Sequence, residues 1–233
     1  MKKAQGAFTQ RWITALREAI ARHVSFARAI SCSADEVIVT SGATQAFALL
    51  AQVLVDGGAS KVAGEWPGYP ATINAFAAAG AELLHVPVYA QGLCVEQIPA
   101  DAGIVCVTPS HQSPCGVALS PSQRGALLDH AQRSNALIIE DDYDGEFRYG
   151  VRPLDALKTQ DVQGRVFYVG TFSKSMFPSL RLGCIIAPGW AREALVAAEH
   201  ATDLHGNDVV QSALAAFISE GDLARHVRRM QRE

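Results

Sequence analysis

Disulfide and metal frameworks are missing from this sequence. Its five cysteines (Cys32, Cys94, Cys106, Cys115 and Cys184) form no Cys-x-x-Cys pair and are odd in number. That argues against a disulfide scaffold and for a reducing compartment. Cys106 and Cys184 lie in apolar runs, where a free thiol behaves as a small hydrophobe. The seven histidines show no paired ligand spacing, which leaves metal binding without support. No apolar run approaches the ~18 residues of a membrane span. The opening MKKAQGAFTQRW lacks the apolar stretch of a signal peptide. There is no basic block, and net charge is −3, so nothing favours nucleic acid or an anionic membrane as a partner of this chain alone. A cytoplasmic protein is the expectation.

What is present is a core-forming chain. Apolar residues make up 49% and charged residues 18%, enough to bury a sizeable interior in 233 residues. Short β-branched runs alternate with Ala/Leu-rich stretches of helical period. Strands are expected at 37–42, 61–64, 82–88, 104–107, 136–142, 165–173 and 182–188. Helices are expected at 10–30, 44–58 (closed by Gly57 and Gly58), 69–79, 121–134 and 189–201, with a last cationic helix in GDLARHVRRMQRE. Strands that are apolar throughout and separated by helices indicate an α/β fold, its mainly parallel sheet flanked by helices on both faces. No repeat, low-complexity segment or linker divides it.

Five polar segments follow the apolar strands. In TFSKSMFPSLRLG (171–183), Lys174 stands among Thr171, Ser173 and Ser175, with Arg181 seven residues on. A surface lysine in a strand-to-loop turn is common. The functional alternative is a Schiff base to an aldehyde cofactor, since a neutral lysine amine is a good nucleophile when burial or nearby cations favour that form. The hydroxyls and the arginine fork would suit a phosphate dianion. IIEDDYDGEFRYG (138–150) sets acids and a tyrosine at a strand's carboxyl end. It reads equally as a solvated acidic loop or as a carboxylate for a protonated pyridine nitrogen, which makes the ring an electron sink. Tyr143, two residues beyond Asp141, points to the same side of an extended segment. SGATQAF (41–47) is a weakly specific strand–turn–helix junction whose free N–H groups can bind an anion. EWPGYP (65–70) offers Tyr69 for stacking or for plain packing, and TPSHQSPCG (108–116) offers His111, Gln112 and Ser113.

Taken in order, these motifs resemble the aminotransferase-like domain of MocR-type regulators, fold-type-I proteins dependent on pyridoxal 5′-phosphate. The likeness runs from about residue 14 to the end, and its last two motifs are specific as a pair. The resemblance implies the large domain of the aspartate-aminotransferase fold across 1–233. Its N-terminal helix would lie near 10–35, and helices over about 190–233 would lead to a small C-terminal domain that is missing or incomplete. It implies Lys174 as the Schiff-base lysine, Asp141 on the pyridine nitrogen, Tyr143 on the phenolic oxygen and Tyr69 on the ring face. Ala43, Thr44, Thr171 and Arg181 would hold the phosphate, Ser173 would assist the lysine, and His111, Gln112 and Ser113 would line the pocket. An amino acid or keto acid is the implied substrate or effector, and a homodimer the implied assembly.

Departures from the family pattern bear on activity. Cys115 stands where a small hydroxyl residue is usual, and Ser113 where ordinary aminotransferases have asparagine. Ala71 replaces an arginine that some relatives use for substrate. Amino transfer at Lys174 and effector sensing with little turnover therefore both stay open.

Overall fold

The computed structural model describes residues 2–55, 61–147, 155–204 and 206–232, with side chains from residue 14. The elements are α1 (Lys2–Arg28), β1 (Val37–Thr40), α2 (Ala43–Leu54), β2 (Lys61–Trp66), α3 (Pro70–Ala78), β3 (Glu82–Tyr89), β4 (Gly92–Leu93) and β5 (Ile104–Val107). They continue with α4 (Pro121–Ser134), β6 (Leu137–Asp142), β7 (Val166–Thr171), β8 (Gly183–Ile186), α5 (Arg192–Asp203), α6 (Asp208–Ser219) and α7 (Asp222–Met230). The expected glycine closure of α2 at Gly57 and Gly58 lies outside the described residues, as do Arg148, Tyr149 and Gly150 of the acidic motif. The two-residue strand β4 was not expected, and α6 falls within the helices expected over about 190–233.

The eight strands form one sheet in the order β1-β8-β7-β6-β5-β2-β3-β4. Five central strands, β7-β6-β5-β2-β3, are mutually parallel. Strand β8 runs antiparallel to both β7 and β1. A parallel β7–β8 pair would need a crossover of a dozen residues or more. The antiparallel pair needs only the short connection 172–182, so Lys174 and Arg181 stay at the same end of the sheet. The β1, β2, β5, β6 and β7 carboxyl ends and the start of β8 all meet there.

Alternation along the strands sends side chains into two apolar layers. On one face, Phe47 and Leu50 of α2, Phe76 of α3 and Leu195 of α5 pack against Ile139, Phe167, Val169 and Ile185. On the other, Leu127 and Ala131 of α4 cover Val105, Ile138 and Val166. Beside them Leu16, Ile20 and Val24 of α1, with Leu214 of α6 and Leu223 of α7, cover Val37, Cys184 and Ile186. Burying a side chain such as Phe47 or Ile139 contributes about 1.5–3 kcal/mol. Local signals agree with the packing. Ser120 caps α4 by accepting from the Gln123 N–H at 3.3 Å, and the helix ends at Asn135 in the left-handed conformation.

Candidate active site

At the carboxyl ends of the parallel strands lies a cavity of about 260 Å³. Each loop contributes to it: Ala43 and Thr44 after β1, Tyr69 after β2, Ser113 after β5, and Asp141 and Tyr143 at the end of β6. Thr171, Ser173, Lys174, Pro178 and Arg181 come from the β7–β8 connection. Ten of the residues expected from the sequence are thus brought together, with Pro178 added. Lys174 is exposed at this cavity rather than buried.

One end of the cavity is built for an anion. Gly42 precedes α2 with φ +85°, a conformation that favours glycine, and a Cβ there would lie 3.4 Å from Arg181 Cζ. That closeness lets the guanidinium lie against the start of α2, where the first N–H groups are unsatisfied. Arg181 Nη2 donates to the Ser41 carbonyl at 3.2 Å. Across from it, Thr171 Oγ1 donates to Ser173 Oγ at 3.1 Å and accepts from the Ser173 N–H at 3.2 Å.

The other end holds a carboxylate without a cation. Asp141 is 3% exposed, and among the described residues its side chain accepts one hydrogen bond, from Thr72 Oγ1 of α3 at 3.3 Å. Loss of water raises its pKa to about 8, and the neighbouring Asp142 charge adds to the effect. Asp142 points to the opposite face. There Arg28 Nε of α1 lies 2.6 Å from its Oδ2, and Tyr168 Oη donates to the same oxygen at 2.8 Å.

His111 and Gln112 do not line the cavity. The Gln112 amide is buried in its own turn, donating to the carbonyls of Pro67 and Ser113, both at 2.8 Å, and accepting from the Cys115 N–H at 3.0 Å. The His111 ring pairs with Asp144 and stacks against Tyr143 at 6.1 Å between centroids. Glu65, which the sequence reading passed over, is buried at the end of β2. It accepts from the Thr108 N–H at 3.1 Å and from Gln112 Nε2 at 3.3 Å. Its burial raises the pKa to about 7. A glutamate following the small, apolar run VAG within KVAGEW, one residue before the strand ends, was the signal.

The family description "Aminotransferase class I and II" matches residues 2–233. The chain belongs to this family. It is 39% identical over 225 residues to the probable rhizopine catabolism regulatory protein MocR of Rhizobium meliloti, covering 95% of this chain and 45% of that one. It is 42% identical over 216 residues to the HTH-type transcriptional regulator TauR of Rhodobacter capsulatus, covering 92% and 44%. The chain thus spans less than half the length of these relatives. A kynurenine aminotransferase from Pyrococcus horikoshii, solved in complex with PMP, superposes with a TM-score of 0.86 at 30% identity. That match covers 94% of this chain and 56% of the other.

The cofactor of these aminotransferases is pyridoxal 5′-phosphate. The chemistry of this aminotransferase-family cavity fits it. A dianion suits the α2 start with Arg181, a protonated ring nitrogen suits the uncompensated Asp141, and an aldehyde suits the Lys174 amine.

Proposed function

We propose that this chain is the pyridoxal-phosphate-binding large domain of an aminotransferase-type protein, acting on an amino acid and a keto acid through Lys174. The observation that carries the reading is Asp141, a buried carboxyl that no cation pairs among the described residues, in one cavity with Lys174 and Arg181. Arg181, Thr171 and the N–H groups of Ala43 and Thr44 would hold the phosphate, Tyr69 would cover the ring face, and Asp141 would hold the ring nitrogen protonated. Tyr143 and Ser173, which line the same cavity as Lys174, would serve as hydroxyl donors. When bound, the cofactor supplies an electron sink for a carbanion at the amino acid Cα. Lys174 Nζ would accept the proton from that Cα, general-base work that needs hydrogen-bond reach. Burial of Asp141 keeps water from competing for its charge. The exposed Tyr69, Trp66 and Phe177, at 47%, 61% and 48%, suit a cavity closed by a second copy of the chain.

A second reading has its own support, because the regulator relatives are the most similar proteins described above. In it the same site binds the cofactor and an amino acid effector with little turnover.

The test is to load the purified chain with pyridoxal 5′-phosphate, reduce it with borohydride and map the peptides. The pyridoxyl group should sit on Lys174. Label on another lysine, or none, refutes the assignment. An amino acid panel then separates the two readings. Keto acid formation that is lost in Lys174→Ala indicates transfer, whereas spectral change without product indicates sensing.

A further inference from the structure

Behind the anion-binding end of the cavity lies a second cavity of about 260 Å³, lined by Ser41, Arg181, Asp203 and Gln211 among others. Asp203, the last residue of α5, reaches into it. Its Oδ2 accepts from Ser41 Oγ at 3.1 Å and from Gln45 Nε2 at 3.3 Å. Gln45 Oε1 in turn accepts from the Ser41 N–H at 2.6 Å, and the Ser41 carbonyl accepts from Arg181. Ser41 is thus held at its N–H, its hydroxyl and its carbonyl, and all three ties belong to one connected network. The next residue is Gly42, whose left-handed φ turns the chain into α2. Fixing Ser41 therefore fixes the direction in which the Ala43 and Thr44 N–H groups emerge, together with the carbonyl that anchors Arg181.

We propose that Asp203 is a positioning residue that sets the anion cradle formed by the start of α2 and Arg181. It acts through Ser41 and Gln45 and touches no ligand itself. The inference rests on the pyridoxal-phosphate reading of the cavity. A carboxylate near a phosphate site is unfavourable as a charge, so its place there is explained by geometry. The cofactor's phosphate, and not its ring, is what this network serves.

The experiment compares titrations with pyridoxal 5′-phosphate and with pyridoxal, which has the same ring and aldehyde without the phosphate. The unsubstituted chain should prefer the phosphorylated form. Asp203→Ala should weaken pyridoxal 5′-phosphate about tenfold, the equivalent of one lost hydrogen bond, and leave pyridoxal unchanged. Asp203→Asn keeps an oxygen acceptor and should retain most of the preference. Equal weakening of both ligands would show general damage and overturn the proposal. So would unchanged or tighter binding of the phosphate form, or an Asp203→Asn variant that falls as far as Asp203→Ala. If the unsubstituted chain shows no preference for the phosphate form, the cofactor reading fails first and the proposal with it.

Discussion

Asp141 and Asp142 are neighbours on β6, 3% and 5% exposed, yet the two faces of the sheet treat them oppositely. On the α1 face, Asp142 meets the Arg28 guanidinium and the Tyr168 hydroxyl, which offset part of the desolvation that raises its pKa. On the α3 face, Asp141 meets Thr72 and a cavity. The same residue type, one position apart, serves stability on one side and stores an unmet demand for positive charge on the other. Buried charges are normally paired, so the aspartate that meets no cation among the described residues, and holds its proton instead, marks the ligand side.

The largest expected effect comes from breaking the satisfied side. Asp142→Ala leaves the Arg28 charge buried without its carboxylate, at a cost of about 3–5 kcal/mol. Chemical denaturation at pH 7 should show a much lower midpoint. A loss below about 1 kcal/mol would erase the distinction between the faces.

The opposite side should respond with the opposite sign. A carboxyl with a folded pKa of about 8 against the ordinary 3.8 holds in the native state a proton that the unfolded chain releases. Its contribution to stability is fully present below pH ~4 and lost as the pH rises towards 8. Asp141→Asn should therefore flatten the stability–pH curve of the cofactor-free chain over that window and stabilise it at pH 8, by on the order of a few kcal/mol. Glu65 and Glu140, both raised to about 7, keep a residual slope of the same sign. Destabilisation by Asp141→Asn at pH 8 would mean that the carboxylate is already compensated.

With cofactor present, Asp141→Ala removes a charge-assisted hydrogen bond of about 1.5–3 kcal/mol and should weaken pyridoxal 5′-phosphate retention accordingly. Dialysis followed by absorbance measures the loss. Equal loss of cofactor in a still-folded Asp142 variant would reverse the roles of the two aspartates.

The smallest effects sharpen the contrast between two tyrosines. Tyr168→Phe deletes a buried donor to Asp142 and should cost about 1–3 kcal/mol. Tyr143→Phe, on the half-buried cavity side, should stay within about 0.5 kcal/mol in the absence of cofactor. Denaturant midpoints for the two variants at pH 7 check this.

Much of this was legible beforehand because period and position carry it. Alternation along LIIEDD places Ile139 and Asp141 on one face and Ile138 and Asp142 on the other, whichever neighbours arrive. The polar segments after VIVT, GEW, IVCV, IIE and FYVG were expected at strand carboxyl ends, and there the structure puts them. Gln112 and His111 were misjudged, because a loop sequence does not say whether an amide faces a cavity or closes its own turn. The bounds of α6 within the helical stretch expected over about 190–233 were not drawn, although Asn207 caps it by accepting from the Val209 and Val210 N–H groups at 3.1 and 3.2 Å. Its burial depends on α1, nearly two hundred residues earlier.

By itself the sequence determined the alternating elements, the sheet with helices on both faces and the chemistry each loop can offer, since these follow from local period and side-chain type. Tertiary structure alone decided that β8 runs antiparallel, so that Lys174 and Arg181 share one loop end. It also decided that Arg28 compensates Asp142 and not Asp141, and that Asp203 ties down Ser41. These are contacts between residues distant in the chain, and no local pattern encodes a partner that only folding brings near.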